Sequence, residues 1–211
     1  MSSTRMTKII SLLPLLSAGW FALTVIVAGW HFPNYQHSSQ FISELGATGA
    51  PYGALVNFVG FLPASMALVS FAALILINGN TTAKQTVGLL GVACYGATLS
   101  IAAIYPCDYG CRPPTPSSSQ MIHNLSALVG YSCGVIAVLL LAADVLKERS
   151  RAIAMIGFVL GSIAAVLLLS IVPSSPIVGL IQRLFELVIY SWIVLYALTL
   201  PSLQSRFATR N

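Results

Sequence analysis

Charge is what this chain has least of. Five Asp and Glu and ten Lys and Arg stand among 211 residues, so 7% of the sequence is charged, where a soluble domain carries about 25%. So few charges leave too little polar surface to face water, which excludes a soluble enzyme and a disordered chain alike. Four cysteines are too few for a secreted disulfide scaffold. Alternating stretches of roughly ten residues are missing too, which excludes a transmembrane β-barrel. What fills the sequence instead is apolar: 57% by the AVILMFWYC count.

The apolar residues gather into six runs: Ile9–Gly29, Tyr52–Ile77, Thr86–Tyr105, Met121–Leu146, Ala152–Val172 and Ile177–Leu200. A helix that spans a bilayer needs about 20 such residues, and in lipid its backbone must satisfy its own hydrogen bonds. The expected fold is all-α, a polytopic bundle of six transmembrane helices making one membrane domain over residues 1–211. Arg5 and Lys8 ahead of the first run resemble a signal-peptide start. The run is too long for a signal h-region and has no small-x-small cleavage site, so it reads as a retained span.

Lys and Arg concentrate on the cytoplasmic side of such bundles. With both termini cytoplasmic, Arg5, Lys8, Lys84, Lys147, Arg149, Arg151, Arg206 and Arg210 lie inside, eight of the ten, while Arg112 and Arg183 lie toward the outside. The net charge of +5 then serves insertion and attraction to anionic lipid. No basic face exists apart from these flanks, so the expected partner is membrane lipid and not nucleic acid. The expected location is a bacterial inner membrane, with any site on its extracytoplasmic side.

The inside connections are short, whereas His31–Pro51 and Pro106–Ser119 are far longer than a helix connection needs. Long structured loops often carry function. His31, His37 and His123 lie on or beside this looped face, with Glu44, Asp108, Arg183 and Glu186. His31 and His37 read as loop surface. Arg183 and Glu186 are spaced i,i+3 near the start of the sixth span, and Gln182 is four before Glu186. They form either a structural ion pair or part of a wet, functional pocket. Asn57 lies in the outer half of the second span, where Pro63 should kink the helix; Pro14 also interrupts a span. Gly130, on one stripe with His123 and Ser126, permits close helix approach. Spans two, four and six all begin on this face, and helix N-termini that converge favour an anion.

For a lipid-directed hydrolase, His123, Glu44 and Asp108 are the acid–base candidates. Arg183, Glu186, Gln182, Asn57, Ser43 and Thr48 are then the ligand contacts, with Arg183 and the helix starts set to hold a phosphate or an oxyanion. A divalent metal is weakly indicated; its ligands would be His123 with Asp108 and Glu44 or Glu186. Cys107 and Cys111 read first as a short-loop disulfide on an oxidising side, and otherwise as ligands beside His123 or Asp108. Cys94 and Cys133 read as small apolar fillers.

Three stretches carry a family resemblance. Ile42-Ser-Glu-Leu-Gly-Ala-Thr-Gly-Ala-Pro51, Tyr105-Pro-Cys-Asp108 followed by His123, and Gly179-Leu-Ile-Gln-Arg-Leu-Phe-Glu186 together resemble the bacterial six-span family named domain of unknown function 998. The resemblance runs over essentially the whole chain and implies six spans without a settled activity. The first loop is more loosely similar to eukaryotic six-span proteins of the Frag/DRAM type, which implies lipid handling or membrane trafficking.

The reading expected from all this is an outward-facing polar pocket that binds or processes a lipid-derived, partly anionic ligand, with hydrolysis as one outcome. A small-solute or proton-coupled transporter and a non-catalytic assembly factor are the alternatives. No repeat relates the two halves, and the polar groups sit near one interface, which favours a one-sided site over alternating access.

Overall fold

A computed structural model describes residues 9–148 and 150–208, without the side chains of 147, 148 and 201–208. Of the basic residues that orient the sequence, Arg5, Lys8, Arg149 and Arg210 lie outside the described residues, as do the side chains of Lys147 and Arg206. The described residues form six long helices: α1 (Leu13–His31), α2 (Gly53–Asn78), α3 (Ala83–Ile104), α4 (Ser118–Glu148), α5 (Arg151–Ser170) and α6 (Val178–Ala208). Among the described residues there is no strand. All six helices are long and apolar enough to cross a membrane, so this is a multi-pass membrane protein.

The burial pattern matches that solvent. Large apolar side chains point outward on every helix, among them Leu16, Ile26, Leu125, Val166, Leu169 and Leu187. The interior holds Phe71, Leu89, Tyr95, Leu141, Phe185, Trp192 and Tyr196, none of them more than marginally exposed. Lipid gives no hydrophobic reason for helices to associate, so close backbone approach has to supply the packing. A Cβ on Gly130 would lie 2.0 Å from Thr98 Oγ1, on Gly60 2.2 Å from Thr24 Cγ2, and on Gly157 2.7 Å from Ala142 Cβ. Each glycine is where two helices touch.

Helix ends follow from local chemistry. The Thr82 side chain accepts the Gln85 N–H at 3.1 Å and starts α3, and Ser117 Oγ accepts the Gln120 N–H at 3.1 Å at the start of α4. Pro14 sits in the first turn of α1, where its missing N–H costs nothing; it does not interrupt the span. Pro63 does disturb its helix. A π segment, Val56–Phe61, precedes it, and the Val59 carbonyl four residues before the proline accepts the Trp20 indole N–H at 2.8 Å. That bond satisfies an acceptor which the proline leaves unpaired within the helix.

α1 to α6 alternate in direction, so the two long loops and the short α5–α6 link share one end of the bundle. Two 3-10 turns, Ile42–Gly46 and Tyr109–Cys111, fold those loops inward over it.

Candidate functional site

The two loops are tied into one roof. Glu44 Oε1 accepts the Phe41 N–H at 3.0 Å, Oε2 accepts from Gln40 Nε2 at 2.7 Å, and Arg112 of the second loop reaches Oε1 at 3.4 Å. The Arg112 guanidinium also donates to the Ser39 carbonyl at 2.8 Å and lies over the Phe41 ring, 5.0 Å from its centroid. The Thr48 N–H donates to the Cys107 carbonyl at 2.8 Å. Cys107 and Cys111 sit at disulfide distance, with Cα atoms 5.1 Å apart. Asp108 caps Ser117 from outside: its carboxylate accepts the Ser117 N–H at 2.9 Å and the hydroxyl at 2.7 Å. Those two donors, the backbone one first, hold the Asp108 carboxyl below the usual range.

Arg183 clamps the roof to α6. Its Nη1 donates to the Gln40 carbonyl at 3.0 Å and to the Gly179 carbonyl at 2.9 Å, and Nη2 donates to the Tyr35 hydroxyl at 2.6 Å. Burial pushes the Tyr35 phenol up to about 12 although the neighbouring guanidinium pulls it down, so it keeps its proton and donates to the Phe41 carbonyl at 2.7 Å. Cover over the ring, and then the Arg183 charge, lower the His37 imidazole from its ordinary value. The first loop lies directly on the start of α6, where the Leu180 N–H donates to the Ser38 carbonyl at 2.8 Å.

Beneath the roof is a cavity of about 310 Å³. Its walls are mostly apolar, with Phe21, Phe61, Leu99, Leu128, Leu168 and Ile171 among them. Its polar groups are few: Ser43, Asn57, Ser65, His123, Asn124, Gln182 and Glu186, with Tyr131 and Tyr190. Apolar walls with a few placed polar groups are the usual composition of a small-molecule site. Glu186 is buried and takes a hydrogen bond from the Tyr95 hydroxyl; the Tyr131 hydroxyl engages it as well. Gln182 Nε2 donates to the Tyr131 hydroxyl at 2.8 Å, and Gln182 Oε1 accepts the Ile42 N–H at 2.7 Å. A continuous chain of bonds therefore runs from the roof to the carboxylate. Asn57 Nδ2 donates to the Gly46 carbonyl at 2.8 Å, which fixes the π segment of α2 under the first 3-10 turn.

His123 stands across the cavity on α4. Its Nδ1 lies 3.0 Å from the Ala102 carbonyl and 3.1 Å from the Tyr105 carbonyl. Carbonyls only accept, so Nδ1 carries the hydrogen and Nε2 is left as an acceptor.

Of the residues expected from sequence, the structure brings Ser43, Asn57, His123, Gln182 and Glu186 to this cavity. Four others are elsewhere. Glu44 does not line the cavity, and its carboxylate is already taken up by three loop donors. Asp108 spends its oxygens on Ser117 at the surface. Thr48 is exposed on the roof. Arg183 and Glu186 are not an ion pair: the guanidinium turns to the first loop and the carboxylate to the tyrosines. His31 and His37 are exposed. Among the described residues no three His, Cys, Asp or Glu side chains come together as metal ligands, so the set of His123 with Asp108 and Glu44 or Glu186 is not assembled. Nor do free helix starts converge, since α4 and α6 begin against the protein's own Ser117 and Ser38 oxygens.

Tyr95, Tyr131 and Tyr190 are the functional residues that the sequence reading passed over, with Gln120. Gln120 is buried at the start of α4, accepts the Asp108 N–H at 2.8 Å and donates to Asn124 at 2.8 Å. The available signal was a hydroxyl in mid-span, since a phenol placed there needs a partner.

A family model described as protein of unknown function (DUF998) matches residues 15–199. No curated protein and no solved structure matches the chain.

Proposed function

We propose, from the premise that the chain belongs to the DUF998 family, that it is a binding protein for a lipid-derived amphiphile held under the two loops. The observation that carries this reading is the mixed lining of the roofed cavity: apolar walls around a carboxylate, three side-chain amides and an imidazole at one end of a membrane bundle. Two acceptors at the cavity keep capacity, the Glu186 carboxylate and His123 Nε2, and the Asn124 side-chain N–H groups are donors beside them. The two Nη atoms of Arg183 are turned to Gln40, Gly179 and Tyr35, and its buried Nε has no partner. We take the head group to be one that supplies donors, a hydroxyl or an amine, to the two acceptors, in place of the partly anionic group expected from Arg183 in the sequence.

The orientation that goes with this reading puts the looped end on the extracytoplasmic side of a bacterial inner membrane. The distribution of Lys and Arg supports it. The test is lipid analysis of the purified protein by native mass spectrometry. A retained amphiphile is expected in the parent and a several-fold lower occupancy in Glu186→Ala, while an equal occupancy in both removes the reading.

A second reading, hydrolysis of the bound amphiphile, is favoured by one observation: His123 is held by Nδ1 with Nε2 free to take a proton. Turnover of an ester- or amide-linked lipid by the purified protein, lost in His123→Ala, is the outcome it requires.

A further inference from the structure

The packing of α4 against α5 bears on how a ligand enters the cavity. The two helices run antiparallel, and their seam is tight near the short α4–α5 link. There a Cβ on Gly157 would meet Ala142 Cβ at 2.7 Å, and one on Gly161 would meet Leu139 Cδ2 at 2.6 Å. The same register, continued toward the looped end, brings Tyr131 level with Leu168 and Leu128 level with Ile171, the residue that follows α5. All four residues line the cavity. Leu128 does so while 60% exposed, on a stretch of α4 whose Leu125 also faces outward. One side chain thus borders both the cavity and the surface that lipid covers.

Volume argues the same way. About 310 Å³ lies at the lower end of the roughly 300–1,000 Å³ usual for small-molecule sites. That holds a head group and a short length of chain, not a whole two-chain lipid. An amphiphile bound there must leave most of its chain outside, and an apolar chain remains in hydrocarbon if the opening is lateral.

We infer that the α4–α5 seam at the looped end is a lateral portal, through which a membrane lipid places its head against Glu186 and Gln182 while its chain passes between Leu128 and Ile171 into the bilayer. This rests on the cavity being a lipid site, and the experiment separates the two claims. The full chain is reconstituted in vesicles of phosphatidylethanolamine and phosphatidylglycerol, 3:1, doped with phosphatidylethanolamine that carries a diazirine on the acyl carbons nearest the glycerol, the length of chain that enters the cavity with the head group. Irradiation followed by peptide mass spectrometry maps the labelled residues, with outward Leu125 and Leu187 as internal standards. In a Cys94→Ala, Cys133→Ala background, Leu128→Cys with Ile171→Cys is bridged by a short bifunctional maleimide before the vesicles are formed.

Labelling of Phe61, Tyr131 and Leu168 is expected in the unbridged protein, and it should fall at least ten-fold after bridging while the standards stay constant. Interior labelling that the bridge leaves unchanged overturns the portal and spares the lipid site. No interior labelling in the unbridged protein overturns both. Leu128→Ala, which needs no cross-link, should raise interior labelling; a fall would count against the seam.

Discussion

At the scale of single residues, the membrane interior makes every polar group answer for its partner. Tyr95 and Glu186 are both buried, and the phenol is the donor that the carboxylate takes in place of water. Tyr95→Phe should destabilise the bundle by about 1–3 kcal/mol, the cost of losing one of the two phenol donors to a buried carboxylate. Glu186→Leu should cost at least as much, because the Tyr95 and Tyr131 phenols both lose that acceptor. The double variant should cost clearly less than the two singles together, since both singles remove the Tyr95–Glu186 bond. Thermal unfolding in detergent measures the cycle, and strict additivity would show that the two groups act separately. Asp108 lies on the other side of the boundary, in contact with water. Its carboxyl titrates lower in the folded protein than in the unfolded chain, so the unfolded state binds more protons as the pH drops through the ordinary carboxylate range. The cap it gives Ser117 is fully present above that range and is lost as the pH falls through the lowered folded value. The protection of the Ser117 and Gln120 amides, each exchange rate taken relative to the intrinsic rate at the same pH, should therefore fall on acidification in the parent. In Asp108→Asn the protection should be low and unchanged over the same interval.

At the scale of elements, two glycines in the roof make contrasting contacts. A Cβ on Gly46 would stand 2.0 Å from Asn57 Oδ1, a side-chain atom; on Gly179 it would stand 2.2 Å from the Gln40 carbonyl and 2.7 Å from that of His37, both backbone. Gly46→Ala should cost about 1–3 kcal/mol by overpacking. Combined with Asn57→Ala it should cost no more than Asn57→Ala alone, because the obstructing atom is gone. Gly179→Ala has no such remedy: the first loop must lift, and the Leu180 to Ser38 bond goes with it. Unfolding midpoints of the three variants and the double variant test this, and a failed rescue at Gly46 would show that backbone, not Asn57, sets that contact. The six helices were legible in the sequence because lipid imposes one simple requirement, a long apolar run. That α2 is irregular near Pro63 was legible from the proline, as the π segment Val56–Phe61 just before it. Ser43, Asn57, His123, Gln182 and Glu186 were legible as polar exceptions near one end. What the sequence could not supply was the direction each side chain takes. Arg183 and Glu186 are three residues apart on one helix, yet the longer side chain reaches back to the first loop while the shorter stays among the tyrosines. Glu44 and Asp108 look free in a loop until its turns close on them. Tyr95 and Tyr131 pass for packing residues until their hydroxyls are seen to meet Glu186.

At the scale of the whole molecule, the question is which way the roof faces. Six crossings place the segments before α1 and after α6 on the same side of the membrane, and both long loops on the other. Helix packing fixes that relative arrangement and is indifferent to which side is cytoplasmic. Charge bears on it. The roof carries Arg112, and Arg183 lies just inside it, whereas Lys84 and Arg151 stand where α3 and α5 begin at the opposite end, and the other six Lys and Arg fall on residues or side chains outside the described ones. Lys and Arg favour the cytoplasmic side during insertion, which supports the proposed orientation. The roof, moreover, is closed by Cys107 and Cys111 at bonding distance, a pairing that persists in an oxidising compartment and is rare in the cytosol. Two unrelated features therefore support the proposed orientation. Tyr109, 66% exposed at the tip of the second loop, is a suitable reporter. Tyr109→Cys should react in intact cells with a membrane-impermeant maleimide, while epitope tags at both chain ends should become reachable only after lysis. Lysine 84, at the start of α3 on the opposite end, supplies the control: Lys84→Cys should react only in broken cells. If Lys84→Cys labelled in intact cells and Tyr109→Cys did not, the cavity would open to the cytoplasm. The lipid proposed for it would then come from the inner leaflet, with the α4–α5 geometry unchanged.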